Sequence, residues 1–135
     1  MDPGSHGGTY GPNIVSAAAA AETIRVMKDE KIPENSIARG NQLMTGLRKL
    51  QQDFPMLGDV RGIGCMVATE FVDQDNKPDM AKTNQIVKMC ADQKLLFLTC
   101  GTYQNVIRWI PPLVVSEQQI DEALQIFAAA LDRAA

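Results

Sequence analysis

The chain has 135 residues, of which 45% are hydrophobic and 21% charged, and this excludes a disordered polar chain and allows one domain with a sizeable core. Thirteen basic and sixteen acidic side chains give a formal charge of −3 without any Lys/Arg run, so neither a nucleic-acid interface nor an anionic membrane surface is expected. No apolar stretch nears the roughly 20 residues of a membrane span, and no secretory leader pattern opens the chain, so a cytoplasmic location is expected.

Residues 1–5, Met-Asp-Pro-Gly-Ser, read as a cloning scar, and residues 6–135 as a single domain. Gly7 to Asn13 is a glycine-rich turn running into a helix over about Asn13–Glu30, and Pro12 suits its first turn. Ile14, Ala17, Ala18, Ala21, Ile24 and Met27 recur there at helical spacing. Pro33 punctuates, and Asn35 or Ser36 caps a second helix reaching about Gln52. Its apolar stripe is Leu43, Leu47, Leu50 and Phe54, with Ile37 and Met44 beside it. Gly58 to Gly64 reads as a turn leading to a strand over Cys65–Val72. Both alternating sets of that strand are mostly apolar, which predicts a strand covered on both faces.

A third helix is expected over Asp79–Gln93, with Ile86, Met89 and Cys90 inward. Leu95–Thr99 and Val106–Ile110 read as strands, the latter ended by Pro111-Pro112. Ser116 to Gln119 matches a capping box and opens a last helix with Ile120, Leu124, Phe127 and Leu131 on one face. The fold class is therefore α+β, a small, mostly antiparallel sheet of about three strands covered by helices. The first two strands, joined through a helix, suit a parallel arrangement, and the last two an antiparallel pair.

The chemical inventory is sparse. Cys65, Cys90 and Cys100 form no CxxC and no zinc spacing, and read as reduced, buried thiols. His6 is the single histidine, and nothing beside it suggests a nucleophile–base arrangement, so no catalytic residue and no metal site are assigned. Arg108 is the most informative residue. It lies mid-strand on the alternation face of Val106 and Ile110, where a guanidinium calls for an anion. Its fork suits a carboxylate; an internal salt bridge or an edge charge facing water are the other options. The Gly7–Asn13 turn, with the Thr9 hydroxyl, suits a phosphate or is simply a turn. Arg61 reads as a structural ion-pair partner and Glu70 as a solvated or paired carboxylate, with a buried acid as the other option. Tyr103 and Trp109 either line a pocket or pack in the core.

Taken together, three segments resemble the C-terminal part of the class III (ω-amino acid) pyridoxal-phosphate aminotransferases, over nearly the whole chain. Gly7-Gly8-Thr9-Tyr10-Gly11 with Asn13 is similar to the family's GGT[FY]GGNP segment. Gly58-Asp59-Val60-Arg61-Gly62-Ile63-Gly64 resembles its GDVRGxG motif. Asn105-Val106-Ile107-Arg108 with Pro111-Pro112-Leu113 resembles its NVIRxxPPL strand, and is most similar to the 4-aminobutyrate branch. The family usually has Gly-Asn-Pro where this chain has Pro12-Asn13-Ile14, which bears on how the helix starts behind Thr9.

The resemblance implies pyridoxal 5'-phosphate as cofactor and amino-group transfer from an ω-amino acid such as 4-aminobutyrate to 2-oxoglutarate. It implies that Thr9 and Gly8 meet the cofactor phosphate, the threonine from a neighbouring subunit, and that Arg108 takes a substrate carboxylate. It implies a homodimer and a large domain against which this small C-terminal domain packs. The family's Schiff-base lysine lies upstream of the glycine turn, and none of Lys28, Lys31, Lys49, Lys77, Lys82, Lys88 and Lys94 matches its motif. The piece alone is therefore expected to be inactive. The alternative is a non-enzymatic α+β module that binds a small carboxylate or mediates dimerisation.

Overall fold

The computed structural model describes residues 13–135. The chain divides into two compact units, one ending at Pro33 and one spanning Glu34–Ala135. In the first unit, helix α1 (Ile14–Asp29) is capped by Asn13, whose side-chain oxygen accepts from the backbone N–H of Val15 and Ser16 at 3.0 and 3.1 Å. The cap places the helix start at Ile14; the expected role of Pro12 lies outside the described residues. Arg25 bridges Glu22 and Asp29 along the helix surface.

Helix α2 (Ile32–Asp53) starts earlier than the sequence suggests. Pro33 lies inside its first turn, where a missing N–H leaves no hydrogen bond unmade. Asn35 and Ser36 therefore do not cap it. Asn35 Nδ2 donates instead to the carbonyls of Leu113 (2.7 Å) and Val115 (3.2 Å), and Ser36 Oγ accepts from the N–H of Cys65 at 3.2 Å.

Four strands follow around the remaining helices: β1 (Leu57–Ile63), β2 (Met66–Phe71), β3 (Leu98–Cys100) and β4 (Val106–Trp109), with α3 (Met80–Asp92) before β3 and α4 (Glu117–Ala134) last. They form one antiparallel sheet in the order β1-β2-β4-β3. The α+β class stands, with one strand more than the sequence suggests, because the glycine-rich Gly58–Gly64 segment is most of β1 and the turn of a hairpin. A bulge between Leu57 and Asp59 breaks the two-residue period there, so Leu57 and Val60, three apart, both reach the core. β2 and β3 do run in the same direction, but β4 lies between them.

The core is one cluster built from the inner face of the sheet and from α2, α3 and α4. Leu43, Leu47, Val67, Phe71, Ile86, Ile107, Phe127 and Leu131 are its buried centre. Ile37 is not part of the α2 stripe and is exposed. Trp109 is a core residue: its ring meets Phe97 and Phe127 edge-on at 4.4 and 4.9 Å, and its indole N–H donates to Thr69 Oγ1 at 3.2 Å. The capping box of α4 is formed by Ser116 and Gln119. Gly40 of α2 sits against the hairpin turn so closely that a Cβ there would lie 2.1 Å from the Gly64 carbonyl oxygen, and Gly64 itself has φ +52°.

No helix within the Glu34–Ala135 unit covers the outer face of the sheet, which corrects the expectation that β2 is buried on both faces. Met66 and Ile63 are exposed, Ala68 and Glu70 half-buried. No described helix is long and apolar enough to cross a membrane.

Candidate functional site

The register of the sheet sets the outer face as two rows of side chains. One row runs Arg61, Ala68, Arg108, Leu98 across β1, β2, β4 and β3. The next runs Asp59, Glu70, Val106, Cys100. Successive residues of β4 alternate faces, so Ile107 and Trp109 face the core while Arg108 points outward. Both arginines of the first row are exposed, but their surroundings differ.

Arg61 Nη1 donates to Asp59 Oδ2 at 2.5 Å and to Glu70 Oε2 at 2.7 Å. These acids, Asp59 foremost, raise its pKa above the ordinary arginine value. The paired reading of Arg61 and Glu70 is the one the structure takes. Asn105, almost fully buried, ties the start of β4 to β2. Its Nδ2 donates to the Phe71 carbonyl at 2.9 Å and lies 3.4 Å from Glu70 Oε1, while its own carbonyl accepts from the Phe71 N–H at 2.8 Å.

Arg108, in contrast, has no ion pair and no side-chain hydrogen bond among the described residues. It borders a groove of about 470 Å³ at the β3–β4 end of the sheet, beside Leu98, Ile110, Pro111, Gln119 and Ile120. The lining is apolar apart from a few polar groups, and Arg108 is its one charged side chain. A guanidinium with free donors at the mouth of an apolar groove can take a carboxylate through its fork and leave a methylene chain against the groove wall.

Of the other residues singled out from the sequence, Tyr103 is exposed in the β3–β4 loop and Trp109 is held in the core. Cys65 and Cys90 are buried and Cys100 is half-buried, all as free thiols, and burial pushes the Cys90 thiol up to about 11. Gly8, Thr9 and His6 lie outside the described residues. Sequence reasoning missed Asn105 as a structural pin; its place between a polar turn and the first residue of β4 was the available signal.

A family model for class-III aminotransferases matches residues 1–131. The chain belongs to this family. It is 40% identical over 134 residues to a 4-aminobutyrate aminotransferase of Escherichia coli, covering 98% of this chain and 32% of that protein. It is 39% identical over 125 residues to a 5-aminovalerate aminotransferase of Pseudomonas putida, covering 92% of this chain and 29% of that protein. Among solved structures, a transaminase from a marine Virgibacillus superposes with a TM-score of 0.87 at 27% identity, over 99% of this chain and 32% of that one. The chain thus spans under a third of the length of the curated relatives it matches.

Class III aminotransferases use pyridoxal phosphate. The described residues do not by themselves fit that group. No lysine lines the Arg108 groove, and Lys82, the half-buried lysine of α3, donates its Nζ to the Ala134 carbonyl at 2.5 Å. What this family member displays among its described residues is an exposed guanidinium without an acid partner at an apolar groove, and no step through the cofactor is assigned to them.

Proposed function

We propose that the whole protein transfers an amino group from an ω-amino acid such as 4-aminobutyrate to 2-oxoglutarate, with pyridoxal phosphate supplying the electron sink when bound. The observation that carries this reading is Arg108: exposed, without an acid partner among the described residues, and the one charge on an apolar groove. In this role Arg108 holds a carboxylate of the amino donor or the 2-oxo acid, and the groove wall accommodates the chain between carboxylate and amine. The family membership and the names of the relatives, which act on 4-aminobutyrate and 5-aminovalerate, support a donor with a terminal amine.

In the same proposal Gly8 and Thr9 hold the cofactor phosphate, Thr9 from the second subunit of a homodimer, and residues 6–135 form the small domain that packs on a large one. The reacting lysine belongs to the remainder of the protein, so the 135-residue chain alone is proposed to be inactive. The test uses the full-length protein loaded with its cofactor, a panel of terminal-amine donors, and glutamate formation from 2-oxoglutarate as readout. Arg108→Ala removes a charge-assisted pair of about 3 kcal/mol, so KM for the carboxylate substrate is expected to rise roughly 100-fold. Arg108→Lys is expected to fall between the two, because an ammonium is not bidentate. Failure of every donor to yield glutamate refutes the reaction, and an unchanged KM in Arg108→Ala refutes the role of the arginine.

A further inference from the structure

Glu70 is the acid that the sheet places next to Arg108. The register pairs Glu70 with Val106 and Ala68 with Arg108 on the same outer face, so Glu70 and Arg108 are diagonal neighbours on adjacent strands. Such neighbours stand roughly 7–8 Å apart at the backbone, within reach of two long side chains. An Arg–Glu pair across β2 and β4 is therefore the ready competitor of any substrate carboxylate. The structure does not form it. Glu70 Oε2 is taken by Arg61 at 2.7 Å from the opposite side, on β1, and Oε1 lies 3.4 Å from the amide of Asn105. Arg61 is held in turn by Asp59 at 2.5 Å. Two acids thus share one arginine on the β1 side of the sheet, and the arginine on the β4 side has none among the described residues.

We infer that Arg61 is a positioning residue that draws Glu70 away from Arg108 and so keeps the Arg108 guanidinium open to a substrate carboxylate. This rests on the reading of Arg108 given above. Arg61 touches no substrate; it acts through Glu70. Removing its charge frees Glu70 to swing across to Arg108, where it competes with the incoming ligand. Removing the charge of Glu70 as well abolishes the competitor, so the second substitution repairs the first.

The experiment measures binding of glutarate, a dicarboxylate that cannot accept an amino group, to the full-length holoenzyme by calorimetry. Four proteins are compared: wild type, Arg61→Gln, Arg61→Gln with Glu70→Gln, and Arg108→Ala. Arg61→Gln is expected to weaken glutarate binding about fivefold, the most an exposed ion pair typically supplies, and the double variant to return to within about twofold of wild type. Should Arg61→Gln not fold, Arg61→Met, which keeps the stem over the sheet, takes its place with the same expectations. Unchanged binding in Arg61→Gln beside lost binding in Arg108→Ala overturns the inference and leaves the Arg108 role standing. Weakened binding that Glu70→Gln does not repair also overturns it, because a merely structural role for Arg61 predicts no rescue. Unchanged binding in Arg108→Ala refutes the carboxylate role itself, and the inference with it.

Discussion

Gly40 offers a test of the packing on which the outer-face geometry depends. A Cβ at this position lies 2.1 Å from the Gly64 carbonyl oxygen, 2.2 Å from its carbon and 2.7 Å from its Cα. All three are backbone atoms of a tight hairpin turn, and the turn is fixed further by the Cys65 N–H on Ser36 Oγ and the Cys65 Sγ on the Ser36 carbonyl. Relieving the clash means moving the turn by about 1 Å, since carbon and oxygen atoms do not approach closer than van der Waals contact. Overpacking of this kind costs about 1–3 kcal/mol, and the rigid obstacle places Gly40→Ala at the upper end. Alanine returns about 0.5–1 kcal/mol of helix propensity, which leaves a net loss near 2 kcal/mol. Gly46, two turns on in the same helix, is the control. Its Cβ meets only the end of the Leu124 side chain, at 2.4 Å, and that leucine can change rotamer. Gly46→Ala is expected to stay within about 1 kcal/mol of wild type. Urea unfolding followed by the fluorescence of Trp109, the single and buried tryptophan, reads both variants. A Gly40→Ala chain as stable as wild type, or less affected than Gly46→Ala, refutes the close-approach argument.

Further expectations concern a buried thiol and a helix start. Cys90 is fully buried and its thiol is raised from 9.0 to about 11, so the folded state prefers the neutral form. The associated stability is present in full below the unfolded pKa and is lost as pH rises toward the folded one. Unfolding free energy should therefore fall by at most about 2–3 kcal/mol between about pH 9 and pH 11, and Cys90→Ala should flatten that slope in urea titrations. Ser116→Ala removes one half of the α4 capping box and should lower stability by about 1 kcal/mol in the same assay, with Ser116→Asp restoring most of it.

Much of the fold is legible where one period governs a segment. The stripe Leu43, Leu47, Leu50 announces α2, and the capping box announces α4, because helical spacing and local hydrogen bonds are written in consecutive residues. β1 is hidden because its bulge shifts Leu57 and Val60 out of alternation and its glycines resemble a turn. The start of α2 is hidden because Asn35 and Ser36, ideal caps by composition, bond to Leu113, Val115 and Cys65, which are remote in sequence. At the site, Arg108 stands out from the strand pattern alone, since a lone cation among apolar residues conflicts with its surroundings. That Arg61 and Glu70 are bonded to each other, while Arg108 has no acid partner among the described residues, follows only from the register of three strands.

The position of β4 bears on how the chain is assembled. It is the last strand in sequence yet an interior strand of the sheet, inserted between β2 and β3. During synthesis, β1, β2, α3 and β3 all exist before the strand that joins them. Until residues 106–109 arrive, β2 and β3 each present an open edge to the solvent. Arg108 therefore rides on the element that closes the sheet. A nascent chain cut short before β4 lacks Arg108 and the strand pairing together, and should surface as an aggregation-prone species rather than a folded, silent one.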